Sequence, residues 1–148
     1  MARDYRLTAI PTDKKHTPII VTYDKEVLED DVIGYSIGKA QWDTDKFVPS
    51  VKIWRDVESR NGGYVLSRQC EETTLKRSLL SALFVVEIYD KIINHKDADI
   101  SQYESVLDIS AADSGNYYGD LSNYIEENKD YFEKYIRQLK EKLDDVCK

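Results

Sequence analysis

A chain of 148 residues, 41% apolar and 33% charged, suits one soluble domain that buries about 70% of its unfolded surface and folds without disulfides or metal. Its longest apolar run, Ala82 to Val86, is too short to span a bilayer, and residues 1–16 contain no apolar signal region. A net charge of −7 with no basic stripe argues against nucleic-acid duplexes and anionic membrane surfaces as partners, because both need clustered cations.

In chain order, residues 1–17 read as an irregular arm. Pro18 to Tyr23, rich in β-branched and aromatic residues, predicts a strand, and the acidic stretch Asp24 to Asp31 predicts a turn. Val32 to Trp42 alternates, with Ile33, Tyr35 and Ile37 on one face and Gly34, Ser36 and Gly38 on the other. That predicts a second strand, and glycines sharing a face predict a bulge or a close approach. Asp43 to Lys46 predicts a turn. Val51 to Val57 predicts a third strand, Asn61-Gly62 a two-residue hairpin, and Tyr64 to Gln69 the return strand.

Glu71 to Ile93 predicts the central helix. Leu75, Leu79, Ala82, Leu83, Val86 and Ile93 recur at spacings of three and four, and Val85, Tyr89 and Ile92 widen the apolar face until it needs cover from more than one neighbour. Glu71 and Glu72 fall where a helix dipole favours acids. Residues 95–108 suggest a short helix, and 109–120, with Ser114-Gly115-Asn116, a loop. Leu121 to Val146 predicts a long last helix with Asp120 as N-cap. The expected class is α+β, in a single domain over 1–148. A small antiparallel sheet (about 18–69) packs against the central helix (about 71–93) and the C-terminal helix (about 121–146).

The segments SIGKAQWD at 36–43 and SRQCEETTLKR at 67–77 resemble the two most recognisable blocks of an uncharacterised bacterial family, a domain of unknown function. The resemblance covers about residues 33–90. It implies a single domain of this length in which a hairpin feeds a helix, and it implies no activity. Where that family has Pro-Leu-His this chain has Thr74-Leu75-Lys76, so Lys76 is not expected to replace a catalytic histidine.

Four of the seven arginines, Arg55, Arg60, Arg68 and Arg77, lie within 55–77, with Trp42, Trp54 and Tyr64 in or near the same elements. A two-residue turn at Asn61-Gly62 sets Arg55 directly opposite Arg68, an unfavourable pair that calls for a negative group nearby. Guanidinium forks suit phosphate or carboxylate, and indole rings stack on bases or hold cations. Arg55, Arg68, Arg77, Trp42 and Trp54 are thus expected to bind a small anionic, nucleotide-like ligand. The other reading is structural, with Glu71, Glu72 or Asp56 neutralising the arginines.

The remaining constellations are thinner. Asp97, Asp99, Ser101 and Asp108 have the alternation of a calcium loop without its turn glycine or final Glu. Cys70 beside two acids lacks a placed base, and Glu71 with Glu72 as an acid/base pair is already explained by the helix dipole. Two histidines and two cysteines give no zinc spacing. No cofactor, metal or catalytic set is expected. The two cysteines, Cys70 and Cys147, suggest reduced thiols and a cytoplasmic location. A non-catalytic binding domain is the preferred function, by class-level analogy with small, sometimes phage-carried, proteins that sequester nucleotide signals. A protein-interaction module or homo-oligomer, using the last helix or the acidic segment 97–120, is the alternative, and a small hydrolase the second.

Overall fold

The structure, a computed structural model, describes residues 9–12, 14–24, 31–42, 45–112 and 117–147. The turns expected at 24–31 and 43–46 fall mostly outside these residues, as does Ser114-Gly115-Asn116. The chain forms two compact units, residues 1–79 and 80–148. The fold class is α+β.

The first unit is a five-stranded antiparallel sheet: β1 (Thr17–Tyr23), β2 (Val32–Lys39), β3 (Pro49–Glu58), β4 (Tyr64–Leu66) and β5 (Glu72–Thr74). β2 lies between β1 and β3. The other side of β3 is shared, with Asp56, Val57 and Glu58 facing β4 and Ser50, Val51 and Lys52 facing β5. The return strand expected at 64–69 is therefore broken, and its second half includes residues assigned above to the helix. Cys70 fills the break: its Sγ accepts the Arg55 amide at 3.2 Å, a backbone donor that neither short strand reaches.

The hairpin loop is one residue longer than predicted. Ser59 N–H donates to Gly63 O at 2.8 Å, and Gly62 and Gly63 hold φ of 84° and 73°, a region that favours glycine. Val57 then faces Val65 rather than Leu66.

The buried face of the sheet is the one with the polar residues. Ser36 of β2 and Ser50, Lys52, Trp54 and Asp56 of β3 are buried, while Val51 and Ile53 are half-buried and Val57 exposed. The arm covers this face. Ile10 packs with Ile33 and Trp54 as the core cluster, and His16 is wholly enclosed. Ile33 joins this side where the β2–β3 register shifts between Val32 and Gly34. The expected close approach at the glycines is present, since a Cβ at Gly34 would lie 2.3 Å from Thr22 O and one at Gly38 2.1 Å from Thr17 O.

α1 (Leu75–Asn94) starts four residues later than predicted. Leu79, Leu80, Phe84 and Val85 are exposed, and its buried residues are Lys91 and Ile92. The sheet's own core centres on Trp54. In the second unit a 3-10 turn (Ile100–Gln102) follows α1. Asp90 anchors the segment after α1 by accepting the Tyr103 hydroxyl at 2.6 Å and the Asn94 amide at 2.8 Å. The single last helix is two: α2 (Tyr118–Glu127) and α3 (Lys129–Val146). Asn128 breaks it, with its backbone at φ −107°, ψ 20° and its side-chain amide donating to Tyr124 O at 2.8 Å. Such local bonding competes with helix continuation. Asp120 lies in the first turn of α2 rather than at its cap. No helix among the described residues is long and apolar enough to cross a membrane.

Candidate functional site

The register of β3 and β4 takes the arginine patch apart. Ser67, not Arg68, stands beside Arg55, and its amide donates to Arg55 O at 2.8 Å. Arg55 is already neutralised. Its Nη1 donates to Asp31 at 2.9 Å and its Nη2 to Gln69 O at 2.7 Å, and its Nε lies 3.5 Å from Glu71. Trp54 is 1% exposed and its indole N–H donates to Ser36 Oγ at 2.7 Å, so it sits in the core beneath the sheet. Arg68 and Arg77 are exposed, as is Trp42. Asp99, part of the thin calcium-loop alternation, accepts the Ser101 hydroxyl at 3.1 Å within its own turn.

Around Trp54 lies a buried polar chain that the sequence did not announce. His16 Nε2 is 2.8 Å from Ser36 Oγ and Nδ1 is 2.9 Å from Ser50 Oγ. Ser50 donates to Glu72 Oε2 at 2.9 Å, which also takes the Gln41 amide at 3.1 Å. Counting protons fixes the tautomer. Ser50 gives its one proton to Glu72 and so accepts from Nδ1–H, which leaves Nε2 of the neutral ring to accept the Ser36 hydroxyl, while the Ser36 oxygen accepts from Trp54. Burial holds His16 below its ordinary value of 6.5, against the pull of Glu72 and assisted by Lys52. Ser50 and Ser36, hydroxyls on either side of an imidazole with a carboxylate behind, have the residue types of a nucleophilic relay. Their near-complete burial makes them part of the fold's interior instead. Glu72 Oε1 is buried without a hydrogen-bond partner among the described residues.

Because the folded state keeps His16 neutral, the unfolded chain binds more protons below pH 6.5. Stability from this group is thus full above that pH and falls as pH drops towards the lowered folded value. Urea midpoints at successive pH values should decline below about pH 6.5, and the His16 ring nitrogen shifts should keep the neutral pattern where a free imidazole is already charged. A ring that charges at its ordinary pH would contradict the assignment.

The surface feature with binding chemistry is a cleft of about 390 Å³ at the start of α1, lined by Phe47, Val48, Pro49, Thr74, Leu75, Lys76 and Arg77. Pairing of Ser50 with Thr74 brings the two walls together. Thr74 caps the helix, its Oγ1 accepting the Arg77 amide at 3.1 Å. The first turn holds no acid. Lys76 and Arg77 instead place two cations at the positive end of the dipole, an arrangement that favours an anion. Phe47 is 63% exposed at the rim. Of the predicted site residues, Arg77 alone belongs to this cleft; Lys76 and Phe47 were not singled out as ligands. The signal for them was local, a helix that opens on Thr-Leu-Lys-Arg once Glu72 is assigned to a strand and Glu71 to the stretch before it.

The chain belongs to a family of unknown function (DUF6530), whose family model matches residues 8–147. No curated protein and no solved structure matches it.

Proposed function

We propose that this family member is a non-catalytic binding domain that takes a small anionic, nucleotide-like ligand in the cleft at the start of α1. The observation that carries the reading is the pairing of Lys76 and Arg77 on an acid-free first helical turn within a cleft of about 390 Å³. That volume lies within the range of about 300–1,000 Å³ usual for small-molecule sites. The amides of Leu75 and Lys76 have no acceptor inside the helix, so an anion at this end meets N–H donors as well as side-chain cations. Phe47 supplies a face for a base or another flat group. The lining contains no acid, histidine or cysteine, which favours binding over proton transfer.

Calorimetric titration with pyrophosphate and with ADP tests the reading. Binding is expected for at least one, stronger for ADP if Phe47 stacks. It should be lost in Arg77→Ala and Lys76→Ala with the melting temperature near wild type, since both side chains are exposed. Native and denaturing mass spectra of the protein as purified provide the companion measurement, in which extra mass confined to the native spectrum would identify a retained ligand. No heat with either probe together with a ligand-free native spectrum would overturn the proposal, as would binding that survives both substitutions.

A further inference from the structure

The second unit contains an apolar groove of about 210 Å³ whose walls come from Val85 and Tyr89 of α1, Leu121 and Tyr124 of α2, and Phe132 of α3. Phe132 is its centre, with ring centroids 5.8 Å from Tyr89, 6.4 Å from Tyr124 and 5.7 Å from Tyr131. Val85, Leu121 and Tyr124 are exposed at its rim. The volume is below the range of about 300–1,000 Å³ typical of small-molecule pockets, and the lining is hydrophobic and aromatic. Such a groove takes apolar side chains as anchors and lacks the polar groups that would orient a free metabolite.

The charge of α2 and of the sequence before it is one-sided. Residues 97–128 contain eight acids and no lysine or arginine, and α2 falls within that stretch. Asp120 and Glu127 of that count stand on α2, the helix that gives the groove Leu121 and Tyr124, and Asp130 follows at the start of α3. Lys96 offsets Glu126 at 2.6 Å and Arg137 offsets Glu133 at 2.6 Å. α3 mixes both signs, so the acidic excess lies on α2 and the segment before it. At the groove itself burial first, then Glu133 and Asp130 of α3 and Glu126 of α2, raise the Tyr89 hydroxyl above its ordinary value, against Arg137. A second copy of this chain, itself at −7, has the wrong net sign for such a wall.

We infer that the groove docks an amphipathic helical segment of a partner protein, with apolar side chains at helical spacing seated over Phe132 and lysines or arginines facing the acidic α2 side. Apolar anchors at i, i+3/i+4 and i+7 supply the affinity of such helix-in-groove contacts. Opposite charge supplies the approach rate and the choice of partner.

Fluorescence anisotropy on the full chain tests this with three labelled model peptides. One is an amphipathic helix with leucines on one face and lysines elsewhere, the second has glutamates in place of the lysines, and the third is a scramble of the first. The lysine peptide is expected to bind about tenfold or more tighter than either other, with affinity falling as salt rises. Val85→Asp, a change at a 51% exposed position, should weaken it by about tenfold while circular dichroism stays unchanged. Equal binding of the scramble would reduce the effect to charge alone and overturn the proposal. So would a Val85→Asp variant that binds normally. Light scattering that shows a dimer dissociated by Val85→Asp would assign the groove to a second copy and overturn it as well.

Discussion

Trp54→Ala should destabilise the sheet unit by about 3–5 kcal/mol, the range for removing a fully buried aromatic side chain. The indole is 1% exposed, packs with Ile10 and Ile33, and lies 5.9 Å from the His16 ring in an edge arrangement. Its removal leaves a cavity and also withdraws the N–H that orients Ser36. Lys52 Nζ, 4.3 Å above the ring, loses its aromatic partner in the same step. Trp54→Phe separates these losses. It keeps much of the bulk but not the donor, and should cost about 1–3 kcal/mol through the unsatisfied Ser36 hydroxyl. Trp42→Ala is the control: at 49% exposure it should shift the urea midpoint by no more than about 0.5 kcal/mol. Similar midpoints for Trp54→Ala and wild type would remove Trp54 from the centre of the core.

Gly38→Ala is expected to be costly for a change of one methyl group, by about 1–3 kcal/mol. The new Cβ would lie 2.1 Å from Thr17 O and 2.8 Å from Pro18 Cα. Both are backbone atoms of β1, so no side chain is available to swing away. Relief requires β1 to withdraw from β2, which strains the ladder from Thr17–Lys39 to Tyr23–Gly34. Gly119→Ala, with nothing within 4 Å of the added carbon and a place in α2, should instead stabilise by about 0.5–1 kcal/mol. Thermal melts of the two variants, moving in opposite directions, check the pair. A Gly38→Ala melt at or above wild type would show that β1 does not approach as closely as the geometry states.

The strands and helices were largely legible because period-two and period-3.6 patterns are local. So was the close approach at Gly34 and Gly38, since glycines two pleats apart on one face have few other reasons to be there. What the pattern left open was which face is inside. Alternation in β3 separates Ser50, Lys52, Trp54 and Asp56 from Val51, Ile53 and Val57, and hydrophobicity alone selects the second set as the core. The arm decides otherwise, because Ile10 and His16 cover the first set, and nothing local in residues 9–16 says where they will lie. The arginine patch failed on a single residue of loop length, to which the parity of a hairpin is fully sensitive. The helix break at Asn128 was hidden by an apolar pattern that continues through it. Of the expected site, Arg77 fell in the cleft because it was judged by its neighbours in sequence, which the fold kept together. Arg55 and Arg68 depended on a register that the fold did not adopt.

The imidazole of His16 also makes strand alignment an all-or-none matter. One ring reaches Ser36 on β2 and Ser50 on β3, and Ser50 passes the contact to Glu72 on β5. A slip of any one strand by a single position would turn its polar side chain to the opposite face, leaving an enclosed ring nitrogen or carboxylate with no partner. The polar interior acts as a proofreading contact: it adds little attraction over water but heavily penalises the neighbouring wrong answers. Variants that replace His16 with an apolar residue of similar size are thus expected to lose uniqueness of pairing, seen as multiple amide resonances for β2 and β5, before they lose the sheet itself.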